Sequence, residues 1–210
     1  MSVHFFHPLG EYGSTLSTNN YSTYPGHGGG SASNIGYGCI DILTPYNSKY
    51  PGHNEEIYGL YSTGHPIYAM TDGVIVANTV HDAGIDWDAA HGKPTVGTTV
   101  LSQSCPAICN GLGITFYIRY LHGDYIVNVG DTVHQGQLIG YSHSHGNSTD
   151  PHLHVDFVTN DQGGGWGYMG GYIDESSFIY NDKSYKLNKD LLNMSKLTNW
   201  KTQTNGEVGN

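Results

Sequence analysis

Thirty of the 210 residues are glycine, and they cut the chain into short runs rich in Val, Ile, Thr, Tyr and Phe. This punctuation is the strongest limit on the fold. Glycine breaks helices and marks turns, while β-branched and aromatic residues suit a pleated, half-buried surface. Runs of that kind fall at 40–43, 65–70, 74–80, 98–102, 114–121, 125–129, 137–141 and 152–158. The last reads His-Leu-His-Val-Asp-Phe-Val and alternates polar with apolar side chains, the period of a strand with one buried face. His65–Met70 leads through Thr71-Asp72-Gly73 into Val74–Val80, a pattern that predicts a β-hairpin. One segment, Asn188–Lys196, reads as a helix. The expectation is a mainly β fold, a compact antiparallel sheet core with long loop insertions and a short C-terminal helix.

Composition excludes several classes. Charged residues make up 12% of the chain, about half the usual ~25%. The net charge of −10 is the wrong sign for a nucleic-acid footprint. An aromatic content of 12% argues against disorder, and no apolar run approaches the ~18 residues of a membrane span. The opening Met-Ser-Val-His-Phe-Phe-His lacks the basic and long apolar regions of a secretory signal. Of three cysteines, Cys105 and Cys109 either close a small loop or are buried thiols, and Cys39 is left over.

Organisation follows from the same runs. Residues 1–33 read as a loop-rich extension, 34–160 as the β domain, 161–197 as an extension packed on it, and 198–210 as a polar tail or linker. The insertions Thr44–Ser62 and Ala83–Gly97 have the length of site walls or disordered segments.

The sharpest chemical signal is His152-Leu153-His154. On a strand, residues i and i+2 share a face, so the two imidazoles converge while Leu153 turns to the other side. Asp41, inside the apolar run Cys39-Ile40-Asp41-Ile42-Leu43, needs a metal or a hydrogen-bond partner, because an unpaired buried carboxylate is costly. Colinear with these lie Gly64-His65-Pro66-Ile67-Tyr68-Ala69, Asp72-Gly73-Val74, Tyr120-Leu121-His122, and Val129-Gly130-Asp131-Thr132-Val133. Gly136-Gln137-Leu138-Ile139-Gly140 and Ser148-Thr149-Asp150-Pro151 complete the series before the His pair.

In this order the pieces resemble the lysostaphin/LytM-type zinc metallopeptidases, over about Asn34 to Asn160. The resemblance implies a compact antiparallel β core with a groove (the duplicated-hybrid-motif-like type) that cleaves peptides of bacterial cell-wall peptidoglycan. It implies Zn²⁺ as cofactor, with Asp41 and His154 as ligands. It also implies His122 and His152 as the pair that flanks the attacking water and stabilises the tetrahedral intermediate. The family's first histidine ligand, four residues before the aspartate, is replaced here by Tyr37. A catalytic zinc needs three protein ligands. His27, beside Gly28-Gly29-Gly30, is one candidate for the third. Tyr37 as a phenolate is another, and His53, His143 and His145 are weaker ones. The remaining reading is a degenerate domain that serves as a wall-binding or structural virion module.

His4, His7, His81, His91 and His134 match no family position and are expected at surface or capping sites, whereas His65 is expected to be structural. The expected partner is peptidoglycan peptide, with other phage tail proteins if the chain is a phage lysin or tail-associated domain. No nucleic acid and no membrane are expected. The expected location is extracellular or virion-associated, at the bacterial cell wall.

Overall fold

The computed structural model describes residues 5–22, 39–82, 84–105, 117–158, 178–180 and 183–185. The helix expected at Asn188–Lys196 lies outside them, as do His27, Tyr37 and Cys109. The strands are β1 (Tyr21–Ser22), β2 (Cys39–Leu43), β3 (Ile57–Tyr58), β4 (Tyr61–Ser62), β5 (Pro66–Tyr68), β6 (Gly73–His81) and β7 (Thr98–Ser104). They continue as β8 (Tyr117–Leu121), β9 (Asp124–Tyr125), β10 (Thr132–Val133), β11 (Leu138–Tyr141), β12 (His152–Val158), β13 (Phe178–Tyr180) and β14 (Lys183–Tyr185). Two four-residue helices, α1 (Gly10–Gly13) and α2 (Trp87–Ala90), lie among them.

The main sheet has seven strands in the order β1-β2-β12-β8-β7-β6-β10, each pair antiparallel. A second sheet runs β5-β11-β9. The fold is mainly β, built on a compact antiparallel sheet core. Alternation sets the core. On β12, Leu153 and Val155 are fully buried and join Ile42, Leu101, Ile118, Tyr120 and Ile139 in one apolar cluster. Tyr120 keeps its hydroxyl inside that cluster by accepting from Met70 N–H at 2.9 Å and donating to Gln103 Oε1 at 3.0 Å.

The hairpin expected over His65–Val80 does not form. β5 pairs with β11, while β6 pairs with β7 and β10. The polar groups of the intervening segment are taken by other elements. Ala69 N–H donates to Gln137, and its carbonyl accepts from Gly136. The Met70 carbonyl accepts from Phe6 N–H at 2.9 Å. The Thr71-Asp72 turn therefore carries the chain from one sheet to the other. The strand expected over Tyr125–Val129 stops at Tyr125, where a turn closed by Asn128 N–H donating to Asp131 Oδ2 takes over.

The N-terminal segment reads as loops, yet Phe5, Leu9 and Tyr12 sit in the main core. His7, expected at a surface or capping site, is buried. Its Nδ1 accepts from Leu9 N–H at 3.0 Å, and a Cβ on Gly13 would fall 2.1 Å from its ring. His65 is buried as expected, hydrogen-bonded to Ser62 Oγ at 2.8 Å and stacked on Tyr12.

Burial pushes His7 down to about 3 and His65 down to about 4, from an ordinary 6.5. An unfolded chain takes up protons below 6.5 that these folded sites refuse. Their stabilising effect is complete above that pH and is lost as pH falls toward 4, each group costing up to about 1.4 kcal/mol per pH unit. Urea unfolding of the metal-free chain is expected to show a lower midpoint at pH 5 than at pH 7. The drop is expected to be smaller in His65→Gln, and an unchanged midpoint contradicts the assignment.

Candidate active site

β12 is flanked by β2 and β8, and its register builds the site. His154 pairs with Asp41 on β2 and with Leu121 on β8. Cross-strand partners share a face, so Asp41, His154, His152 and Asp156 all project to the side opposite Leu153 and Val155. His154 Nδ1 lies 2.9 Å from Asp41 Oδ1, and His152 Nε2 lies 3.4 Å from the same oxygen. The other nitrogen of His154, Nε2, is 3.4 Å from Asp156 Oδ2.

His122 reaches this face by a departure from regular strand geometry. Continuing β8, it would fall on the core side with Tyr120. Its φ is +69°, a left-handed conformation that costs a non-glycine residue about 1–3 kcal/mol. The backbone turns there, and the imidazole lies with its centroid 4.6 Å from His152 and 6.2 Å from His154. Two backbone bonds hold the turn. His122 N–H donates to Thr99 at 3.0 Å, and His145 N–H donates to the His122 carbonyl at 3.2 Å.

Each flanking histidine has one nitrogen engaged away from Asp41. His122 Nδ1 donates to the His145 carbonyl at 2.7 Å. His152 Nδ1 donates to the Asp150 carbonyl at 2.7 Å and lies 3.1 Å from Ser148 Oγ. In the neutral ring this assigns the lone pair to Nε2. Burial, then the His152 and His154 rings, push His122 well below its ordinary value, so it is neutral near pH 7. Burial also opposes charge on His154, but Asp156 and Asp41 outweigh it and hold the ring up at about 9.

Beside the histidines lies a buried ion pair. Arg119 Nε donates to Asp156 Oδ1 at 2.7 Å, and a second guanidinium nitrogen reaches Oδ2. Burial pushes Asp156 up, yet Arg119 and His154 together hold it down at about 2. Neither residue was singled out from the sequence. The signal was present for Asp156, since His-x-His-x-Asp at period two places it beside the pair.

The described donors suit a zinc ion. Asp41 Oδ1 and His154 Nδ1 converge, and the proton that two carboxylates retain on His154 stands where a cation would neutralise them. Asp156 engages the far nitrogen of that ring, as a carboxylate does when it orients a zinc-binding histidine. Of the third-ligand candidates, His27 and Tyr37 lie outside the described residues. His53 stacks on Tyr141 at 4.5 Å, and His143 and His145 form a separate cluster with Asp88.

The sequence profile of peptidase family M23 matches residues 57–163, just over half of the chain. The chain belongs to peptidase family M23. The matched segment carries His122, His152 and His154 and begins after Asp41. The M23 chain is 31% identical over 117 residues to peptidoglycan DD-endopeptidase ShyA of Vibrio cholerae, covering 55% of this chain and 22% of that protein. It is 32% identical over 155 residues to glycyl-glycine endopeptidase ALE-1 of Staphylococcus capitis, covering 69% and 38%. It therefore spans from about a fifth to two fifths of the length of these curated relatives. Among solved structures, the catalytic domain of lysostaphin from Staphylococcus simulans is 26% identical, with a TM-score of 0.37, covering 68% of this chain and 84% of that one.

The ion pair generates a stability prediction. Asp156→Asn leaves the Arg119 guanidinium buried without its counter-charge, which costs about 3–5 kcal/mol. Urea denaturation is expected to register that loss. Replacing both residues by leucine is expected to restore most of it, and a single substitution with no effect refutes the role given to the pair.

Proposed function

We propose that this M23 chain is a zinc-dependent endopeptidase that hydrolyses peptide bonds of bacterial cell-wall peptidoglycan. The observation that carries the reading is the pair His122 and His152. Each is anchored through Nδ1 to a backbone carbonyl, and the two rings adjoin Asp41 and His154. The curated relatives support the substrate class, one named for DD-endopeptidase and the other for glycyl-glycine endopeptidase activity.

In this reading Asp41 and His154 hold the ion, and the third position falls to His27 or Tyr37. Zinc supplies Lewis-acid polarisation of the scissile carbonyl and eases deprotonation of water near neutral pH. His122, kept neutral by burial, accepts the proton of the attacking water at Nε2. His152, when protonated at Nε2, donates to the oxygen that develops negative charge. The carbonyls of His145 and Asp150 fix the two ring orientations, so little reorganisation is needed during reaction.

The 34–160 unit is the catalytic domain in this proposal. It acts outside the cell, at the wall. No described helix is long and apolar enough to cross a membrane. Delivery within a phage lysin or tail protein is the form of this reading that its Gly- and Tyr-rich composition suggests.

Purified peptidoglycan incubated with the chain is expected to release new amino termini, read by amine labelling and mass spectrometry. His122→Ala and His152→Ala are each expected to slow that release by about 10²–10⁴-fold while preserving the circular dichroism spectrum. A chelator is expected to stop the reaction and added zinc to restore it, except in His154→Ala. Wall digestion that survives these substitutions sinks the proposal.

A further inference from the structure

A second group of histidines and carboxylates lies behind His122, and the proposed hydrolysis uses none of its side chains. One donor atom each from Asp88, His143 and His145 lies within 4.8 Å of the other two. His145 Nδ1 is 2.8 Å from Asp88 Oδ2, and His143 Nδ1 is 4.0 Å from Asp88 Oδ1. The two imidazoles stack at 3.7 Å with an interplanar angle of 12°.

Three features distinguish this group from a surface cluster. Asp88 is buried, on a helix held in place by its own cap. Asp86 accepts from Ala89 N–H at 3.0 Å and from Gly97 N–H at 2.7 Å. Trp87 ties the same helix to the loop that carries both histidines, donating from its backbone to Gly146 at 2.8 Å and from its indole to Thr149 at 3.2 Å. His143 Nδ1 is buried with no hydrogen-bond partner, although Asp88 stands close by. A buried polar atom left alone in this way calls for an explanation such as an ion. His145 Nε2 lies 2.9 Å from Asp124 Oδ1, which is how a carboxylate orients a metal-binding imidazole from its far side.

We propose that Asp88, His143 and His145 form a second metal site, distinct from the Asp41–His154 site, and that it takes zinc or a similar borderline divalent cation. Two imidazoles and one carboxylate are donors suited to such an ion rather than to calcium or magnesium, which favour all-oxygen sites. Asp124 acts from outside the ligand set as the orienting residue. The ion cross-links helix α2, from the 83–97 insertion, to the loop between β11 and β12. Its consequence for the proposed chemistry runs through the backbone. His145 both accepts from His122 Nδ1 and donates to the His122 carbonyl, so fixing His145 fixes the ring orientation and left-handed turn of His122.

The test is metal content of the full chain, loaded with zinc, dialysed and analysed by plasma mass spectrometry. In an Asp41→Ala/His154→Ala background, one zinc per chain is expected to remain. Adding His143→Gln or Asp88→Asn to that background is expected to remove it. With cobalt as probe, the visible d–d bands of the background chain are expected to vanish with the same additions. Zinc is expected to raise the melting temperature of the background chain and not that of the His143→Gln version. Should the background fail to fold, the wild-type chain is expected to hold two ions and His143→Gln one. A folded background chain that binds no zinc overturns the proposal. So does zinc that remains undiminished after both His143→Gln and Asp88→Asn.

Discussion

The pairing of β12 between β2 and β8 is the constraint on which the rest of the structure depends. A strand has only two faces, and this one uses both fully. Leu153 and Val155 anchor one face in the apolar core. His152, His154 and Asp156 are thereby held on the other, opposite Asp41 and Arg119. A slip of one residue would send three polar side chains into the core and two aliphatic ones out of it. Hydrophobic burial thus sets the register, and the register sets the distances among the ionisable groups.

Those groups are arranged as a graded series of charge. The Arg119–Asp156 pair is fully buried and anchors one end. His154 stands between Asp156 and Asp41, and both carboxylates favour positive charge on it. His122 is pushed the opposite way by burial and by its two neighbouring rings. One small cluster therefore contains an imidazole on which two carboxylates favour positive charge and another that burial keeps neutral. Environment separates their roles, since the side chains are chemically identical. The Asp88–His143–His145 group adds a support behind His122, through the backbone of His145 rather than through any side chain on the face of β12.

Much of the main sheet was legible because period-two alternation is a local property. β12 runs from His152 to Val158, the span read from its pattern, and β2, β7 and β11 lie within two residues or so of theirs. The convergence of Asp41 with His122, His152 and His154 followed from a colinear motif set, which encodes a register indirectly. The expected hairpin over 65–80 failed because turn chemistry at Thr71-Asp72-Gly73 specifies a reversal without specifying the partner sheet. Phe6, Gly136 and Gln137 take the backbone groups nearby, and all are distant in sequence. The burial of His7 is hidden in the sequence for a related reason. A short aromatic segment rich in Gly and Ser gives no periodicity from which burial can be inferred, yet three of its residues complete the core.

The sequence by itself determined the β class, the strand that bears the His-x-His pair and membership of a recognisable peptidase lineage. These rest on local periodicity and on ordered short motifs, both of which survive in one dimension. Only the tertiary structure decided which imidazole is neutral, which is clasped by carboxylates, and that His122 turns over through a left-handed backbone. It alone brought Asp88 from an insertion to His143 and His145, more than fifty residues away. The physical reason is that pairing, burial and electrostatic environment depend on distance in space, and in this chain the decisive neighbours are far apart along the sequence.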